Sequence, residues 1–266
     1  MSFGIGVGLG TMTMLEINMI ILRIASVLVL AVLSAASLAV AAANAEPRAV
    51  LELFTSQGCS SCPPADKVIG EFSHDPSVIA LSLPVDYWDY LGWKDTLALA
   101  GHTSRQRAYA KSRGDREVYT PQVVVNGMAH APGGDKAAIE AAIQKTRQKA
   151  APLSIPVKLS LAGETVTVTI AASKDEQGQA DVWLCPVSKS VSVAIGRGEN
   201  HGHTVAYSNV VRRWVKLGEW NGKSETFNVA LKDVQTGDID SVAVLVQNGG
   251  VSAPKIILGA AQAAVR

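Results

Sequence analysis

Cysteine, histidine and aromatic residues are all scarce in this chain of 266 residues, which has three Cys, five His and only 5% Phe, Trp and Tyr. So few cysteines exclude a small scaffold held together by disulfides, and a chain of this length can build its own cores. A structural zinc site is not supported, because it needs a second Cys or His pair at matching spacing. Cys59 and Cys62 have no such counterpart, and Cys185 stands alone. An excess of one charge is missing too: the formal net charge is +1 and there is no basic tract, so nucleic acid is not an expected partner. The glycine repeat from Gly4 to Gly10 is not a dinucleotide loop, since no strand precedes it and no βαβ unit surrounds it.

The first 45 residues read as an address. Arg23 precedes the long apolar stretch Ile24 to Ala43, and Ala43-Asn44-Ala45 forms a small-residue cleavage site before Glu46. Met14 or Met19 is an alternative start, because residues 1–13 contain no Lys or Arg. The expected outcome is a secreted or periplasmic protein with residues 1–45 removed and no stable membrane association afterwards. An uncleaved anchor is the alternative. Export leads to an oxidising compartment, where disulfides form and are exchanged.

Chemistry enters with Cys59-Ser60-Ser61-Cys62, between the apolar run Ala49 to Phe54 and the helix-forming stretch Ala65 to Phe72. A thiol at a helix N-terminus meets the positive end of the helix dipole and unpaired backbone N–H groups, which favour thiolate. Cys59 is then the nucleophile, and Cys62, two residues beyond, resolves a mixed disulfide. As a purely structural bridge so short a ring contributes only about 2 kcal/mol in the chain-entropy model, against about 4.7 for a ring of about 100 residues.

Alternating strand and helix signals fill residues 46–150. Strands are expected at Ala49–Thr55 and Val78–Val85, and a helix over Thr96–Ser112 with Asp95 as its N-cap. Pro121 opens a β-branched run ending in the Asn126-Gly127 turn, Met128–His130 returns, and Asp135 caps a helix reaching Lys149. Strand, Cys-x-x-Cys, helix, strand, helix, Thr-Pro, hairpin and final helix together resemble the thioredoxin-like superfamily. In that superfamily the proline matching Pro121 is cis and lies against the cysteine pair. The resemblance therefore implies that Thr120 and Pro121 present backbone to an extended substrate; Ser60 and Ser61 between the cysteines and Trp88 in the aromatic segment are further candidate substrate contacts.

Two longer strings, Glu52 to Asp66 and Val85 to Asp95, look like a family of secreted proteins catalogued as domain of unknown function 1223. Unlike thioredoxin, the chain has Gly58 before the first cysteine and Leu53 where a buried acid is usual. Glu52 lies one position away and faces the other side of the strand. Asp86 to Lys94 gathers Tyr87, Trp88, Tyr90 and Trp93 just past a strand end, which packs an insertion or forms a groove or lid. Asp86 and Asp89 read as capping residues or as proton carriers for Cys62, and Arg105 and Arg107 as a solvated helix face.

After Pro152 the pattern changes to short alternating strands: Ile155–Leu161, Thr165–Ile170, Ala180–Val187, Val191–Ile195, Thr204–Lys216, Thr226–Leu231, Val242–Gln247 and Lys255–Leu258. The expected fold class is α/β, a thioredoxin-like domain over 46–150 followed by a mostly antiparallel, sandwich-like all-β domain over 151–266. Cys185 reads as a buried free thiol and His201-Gly202-His203 as polar loop residues.

The function expected is thiol–disulfide exchange with a protein or small-molecule thiol or disulfide, a redox partner protein being one candidate partner, and with no organic cofactor or metal. Two alternatives stand beside it. One is a module holding Cu(I) between Cys59 and Cys62, with His201 or His203 approaching from the β domain. The other is a catalytically silent binding domain on the same scaffold.

Overall fold

β1 (Ala49–Thr55) is buried at every position, as expected of an apolar strand covered on both faces. It belongs to a computed structural model that describes residues 46–265 except 174–177 and 235–236, so the expected leader lies outside the described residues. β1 pairs in parallel with β2 (Val78–Pro84) and antiparallel with β3 (Gln122–Val125), which turns through Asn126-Gly127 into β4 (Ala129–Pro132). Both turn residues have positive φ, 52° and 70°, the conformation that an Asn-Gly hairpin turn requires.

Three helices accompany these strands: α1 (Pro63–Phe72), α2 (Ala100–Arg113) and α3 (Lys136–Lys149). Pro63 and Pro64 occupy the first turn of α1, where their missing N–H groups cost nothing. Asp135 caps α3 by accepting from the Ala138 N–H at 2.9 Å. The odd residues of β1, Ala49, Leu51 and Leu53, pack with Ala65, Ile69 and Phe72 of α1 and Ile139 and Ile143 of α3.

α2 starts later than its sequence suggests. Leu99, not Asp95, stands at its N-cap, because the Asp95 carboxylate is taken by the N–H groups of Gln57 and Leu97, both at 2.8 Å.

The C-terminal half has its own three-stranded sheet, β5 (Val157–Ala162), β6 (Thr165–Ile170) and β10 (Glu225–Ala230), in the order β10-β6-β5. It packs face to face on strands of the large sheet: Val166, Val168 and Ile170 share a core with Val182, Leu184, Val242, Val244 and Val246. The fold is thus α/β with a β-sandwich.

The large sheet ignores the boundary expected at residue 150. Its order is β12-β11-β7-β8-β2-β1-β3-β4, with β9 paired to β7, where β7 is Ala180–Ala194, β8 Thr204–Val211, β9 Val215–Trp220, β11 Ser241–Asn248 and β12 Ile257–Ala264. β8 joins the free edge of β2 at Ser82 and Val210. Ser82 Oγ donates to the Ser208 carbonyl at 2.7 Å, and Asn209 Nδ2 to that of Ala80 at 2.9 Å. Val50, Phe54, Leu83 and Tyr109 share one core with Cys185, Val187, Leu245 and Ile257. Residues Glu46–Arg266 form one unit accordingly.

Strand bounds shift for related reasons. The runs Ala180–Val187 and Val191–Ile195 are one strand, since the polar residues between them mark where β7 passes from β11 to β8. Thr204–Lys216 is two strands, β8 and β9, separated at residues 212–214.

Candidate functional site

The cysteines meet where β1 ends. Ser56 to Cys62 turns away from the strand, with the Cys59 N–H on the Ser56 carbonyl at 3.2 Å and the Cys62 N–H on that of Cys59 at 3.1 Å. Cys59 and Cys62 form a disulfide with Cα atoms 5.4 Å apart, and Cys62 is the N-cap of α1. Both residues are covered: Cys59 is 1% exposed and Cys62 0%.

Three segments close around this turn. The first is the loop before β3, where the Thr120–Pro121 peptide bond is cis. Gly133 lets this loop approach α1, since a Cβ there would lie 2.9 Å from Leu53 Cδ1 and 3.0 Å from the Cβ atoms of Ala65 and Pro121. Gly133 thus lies between Pro121 and Ala65 in the first turn of α1.

The second is the aromatic segment after β2. Trp88 occupies the space that a side chain at residue 58 would need: a Cβ on Gly58 would come within 2.9 Å of Trp88 Cβ. The indole N–H of Trp88 donates to Thr120 Oγ1 at 2.8 Å, so one residue links the cysteine turn to the proline loop. Tyr90 stacks on Trp88 at 6.4 Å. Trp93 donates to Gln57 Oε1 at 2.7 Å, and Asp95 accepts from the Gln57 N–H, so the buried Gln57 anchors this segment. Asp89 accepts from the Asp95 N–H at 3.1 Å, a main-chain contact, and Asp86 accepts from Thr103 Oγ1 at 2.5 Å, a side-chain hydrogen bond.

The third segment comes from the C-terminal half, the β7–β8 connection. Asn200, 3% exposed, donates both amide hydrogens to main-chain carbonyls of the cysteine turn, those of Gln57 and Cys59, each at 2.9 Å. Glu199 accepts from the Ser60 N–H at 3.2 Å. Ser61 Oγ lies 3.5 Å from Cys59 Sγ. His201 and His203 are exposed on this connection, and among the described residues no three His, Cys, Asp or Glu side chains cluster as a metal site.

One acid is buried beside the disulfide. Asp66, one helical turn beyond Cys62, is 1% exposed. Thr55 Oγ1 donates to its Oδ1 at 2.8 Å, while its Oδ2 is buried without a partner among the described residues. Burial pushes its carboxyl well above the usual range, against the Thr55 hydrogen bond, and the charge of Asp95 adds to the rise. Tyr207 of β8 lies near both acids: burial raises its phenol, and the charges of Asp66 and Asp95 raise it further. Asp66 was legible in principle, since i and i+4 on a helix share a face. Asn200 and Glu199 gave no local signal.

Glu52 and Arg105 belong to a different site. Glu52 does face away from Leu53, and it is fully buried. Arg105 is not a solvated residue: its Nε donates to Glu52 at 2.6 Å, and its Nη2 to Tyr109 and to Gln247 of β11, each at 2.7 Å. Its guanidinium lies 4.2 Å from the centre of the Trp214 ring. Arg107 is exposed, as expected. Cys185 is a buried free thiol that burial holds protonated.

The fold and the site together define an α/β protein with a β-sandwich and a Cys-x-x-Cys disulfide at a helix N-terminus. The chain belongs to the family described as protein of unknown function DUF1223, whose pattern matches residues 50–247. It is similar to protein AGR_C_4864 from Agrobacterium tumefaciens, with 33% identity, 82% of this chain and 94% of that chain covered, and a TM-score of 0.73. HBP35 of Porphyromonas gingivalis shares the fold at 17% identity, covering 82% of this chain and 75% of that one, with a TM-score of 0.54. Among curated proteins none matches. No described helix is long and apolar enough to cross a membrane.

Proposed function

We propose that the protein is an exported thiol–disulfide oxidoreductase, with Cys59 as the sulfur that exchanges with substrate and Cys62 as the resolving thiol. The observation that carries this reading is the Cys59–Cys62 disulfide at the N-terminus of α1, with Thr120–Pro121 held beside that helix. A helix N-terminus favours thiolate at the outer cysteine, and the thioredoxin-like resemblance supplies Thr120 and Pro121 as substrate contacts, with Ser60, Ser61 and Trp88 as further candidates.

From the oxidised form, a substrate thiolate attacks Cys59 Sγ. The substrate–Cys59 bond forms as the Cys59–Cys62 bond breaks, and Cys62 leaves as a thiolate. Asp66 is the proton carrier: its raised carboxyl donates to Cys62 in this direction, and its carboxylate takes the Cys62 proton in the reverse one. A second substrate thiolate then attacks the substrate sulfur and releases Cys59, which takes a proton from water. Two substrate thiols become a disulfide, and two electrons pass to the cysteine pair.

The test is the reduction potential of the mature protein, equilibrated in glutathione buffers, acid-quenched, alkylated and weighed. A reversible two-electron couple between about −270 and −120 mV is expected. A value below about −300 mV would make the pair a structural bridge and end the enzyme reading.

A further inference from the structure

We infer that the Trp88–Tyr90 shelf selects the substrate, and that the substrate is an extended polypeptide with a large apolar side chain two positions from its cysteine. The inference rests on the exchange reading above and names the substrate class for that site.

Tyr90 is 77% exposed, a large ring left open to solvent on a short 3-10 turn, Asp89–Leu91. Single exposed aromatics are ordinary, but this one is backed by a rigid layer. Its ring is stacked within 15° of Trp88, which packs on Gly58 beside Cys59 and is hydrogen-bonded to Thr120. The Tyr87 ring also contacts Trp88, with ring centres 6.3 Å apart and planes tilted by 36°. Val118, two residues before Thr120, is 38% exposed. The shelf is thus continuous with the exchange site and loses little side-chain freedom when a ligand settles on it.

In an extended chain alternate residues lie on one face about 6.8 Å apart, so the side chain two positions from a substrate cysteine lies on the cysteine's own face of the peptide. A peptide running along the Thr120 loop with its cysteine at Cys59 places the side chain two positions away over the shelf.

The cover over the disulfide points the same way. With Cys59 only 1% exposed, a productive encounter must move covering groups, so a substrate that brings binding energy of its own reacts faster. A tripeptide thiol such as glutathione has no apolar side chain to bring.

The experiment uses two synthetic cysteine peptides, identical except that the residues two positions either side of cysteine are Phe in one and Ser in the other. Their rates of reducing the oxidised mature protein are followed by stopped flow, for the native chain and for Tyr90→Ser. The Phe peptide is expected to react about tenfold faster, a difference of about 1.4 kcal/mol, and Tyr90→Ser should cut that ratio below about threefold. An unchanged reduction potential in the variant would show the disulfide itself to be intact. Equal rates for the two peptides, or a ratio unmoved by Tyr90→Ser, would overturn the shelf while leaving exchange standing. If neither peptide nor glutathione reduces the disulfide, exchange fails, and the shelf reading with it.

Discussion

Replacing Asp66 by Asn separates what the buried acid does for exchange from what it does to stability, because the two effects have opposite signs. Asp66 is 1% exposed, has one hydrogen bond, from Thr55, and has a second oxygen with no partner among the described residues. Its folded carboxyl titrates well above the ordinary value of 3.8, chiefly because burial penalises the charge. A folded pKa raised above the unfolded one means that stability is fully present below about pH 3.8 and is lost as pH rises through the folded value. Above that folded value the ionised native carboxylate is a burden. Asn keeps the Thr55 hydrogen bond through its carbonyl and removes the charge.

Leaving a buried polar group unsatisfied costs about 1–3 kcal/mol, and more when it is charged. Asp66→Asn should therefore be more stable than the native chain by about that amount above the folded pKa, and equal to it at low pH. Urea unfolding at three or four pH values measures the difference.

Exchange should move the other way. Positioned acid–base catalysis contributes about 10²–10⁴-fold, so reduction of the disulfide should slow about a hundredfold or more in Asp66→Asn. The rate's dependence on pH should also lose the step that Asp66 gives the native chain. A variant with the native rate and pH profile would refute the proton role, and a variant no more stable than the native chain at any pH would refute the claim that the carboxylate is unpaired.

Two further outcomes follow from other buried groups. Arg105→Met strands the Glu52 carboxylate, so it should destabilise the chain by about 3–5 kcal/mol, while Arg105→Met with Glu52→Leu should recover most of the loss; equal losses in denaturant unfolding would show that the pair is not coupled. His102 is buried, and its Nδ1–H donates to the Pro84 carbonyl at 2.9 Å, while burial lowers its pKa from 6.5 to about 4. A depressed histidine contributes stability that is present above the unfolded pKa and lost as pH falls toward the folded one. About 2 kcal/mol should thus disappear between pH 7 and pH 5, and His102→Gln should flatten that part of the profile in paired urea titrations.

What the sequence reveals is local. The run into Cys59, the two prolines at the start of α1, the Asn126-Gly127 turn and the Asp135 cap are each decided within a few residues, and each is found where its chemistry puts it. α2 was harder because its covered side is polar: His102, Thr103 and Gln106 are all buried, so no apolar stripe distinguishes that side from the exposed one. Arg105 looked solvated for the same reason, since its partners, Glu52 and Gln247, lie 53 and 142 residues away. Asn200 is 141 residues from Cys59 and carries no pattern that announces a contact with it. The boundary at residue 150 was inferred from a change in strand grammar, which is real, but grammar does not say which strand pairs with the open edge of β2.

That pairing also explains why the site draws on both halves of the chain. β2 ends beside the cysteine turn, its second neighbour is β8, and the connection from β7 to β8 reaches that turn. Asn200 and Glu199 sit on that connection, and Tyr207 on β8 reaches toward Asp66. Cutting the chain after Lys149 would free the edge of β2, uncover Phe54 and Tyr109, and leave the Gln57 and Cys59 carbonyls without their amide donor. The C-terminal half is therefore part of the enclosure around the disulfide, and the cover over Cys59 includes a segment that the α/β half does not encode.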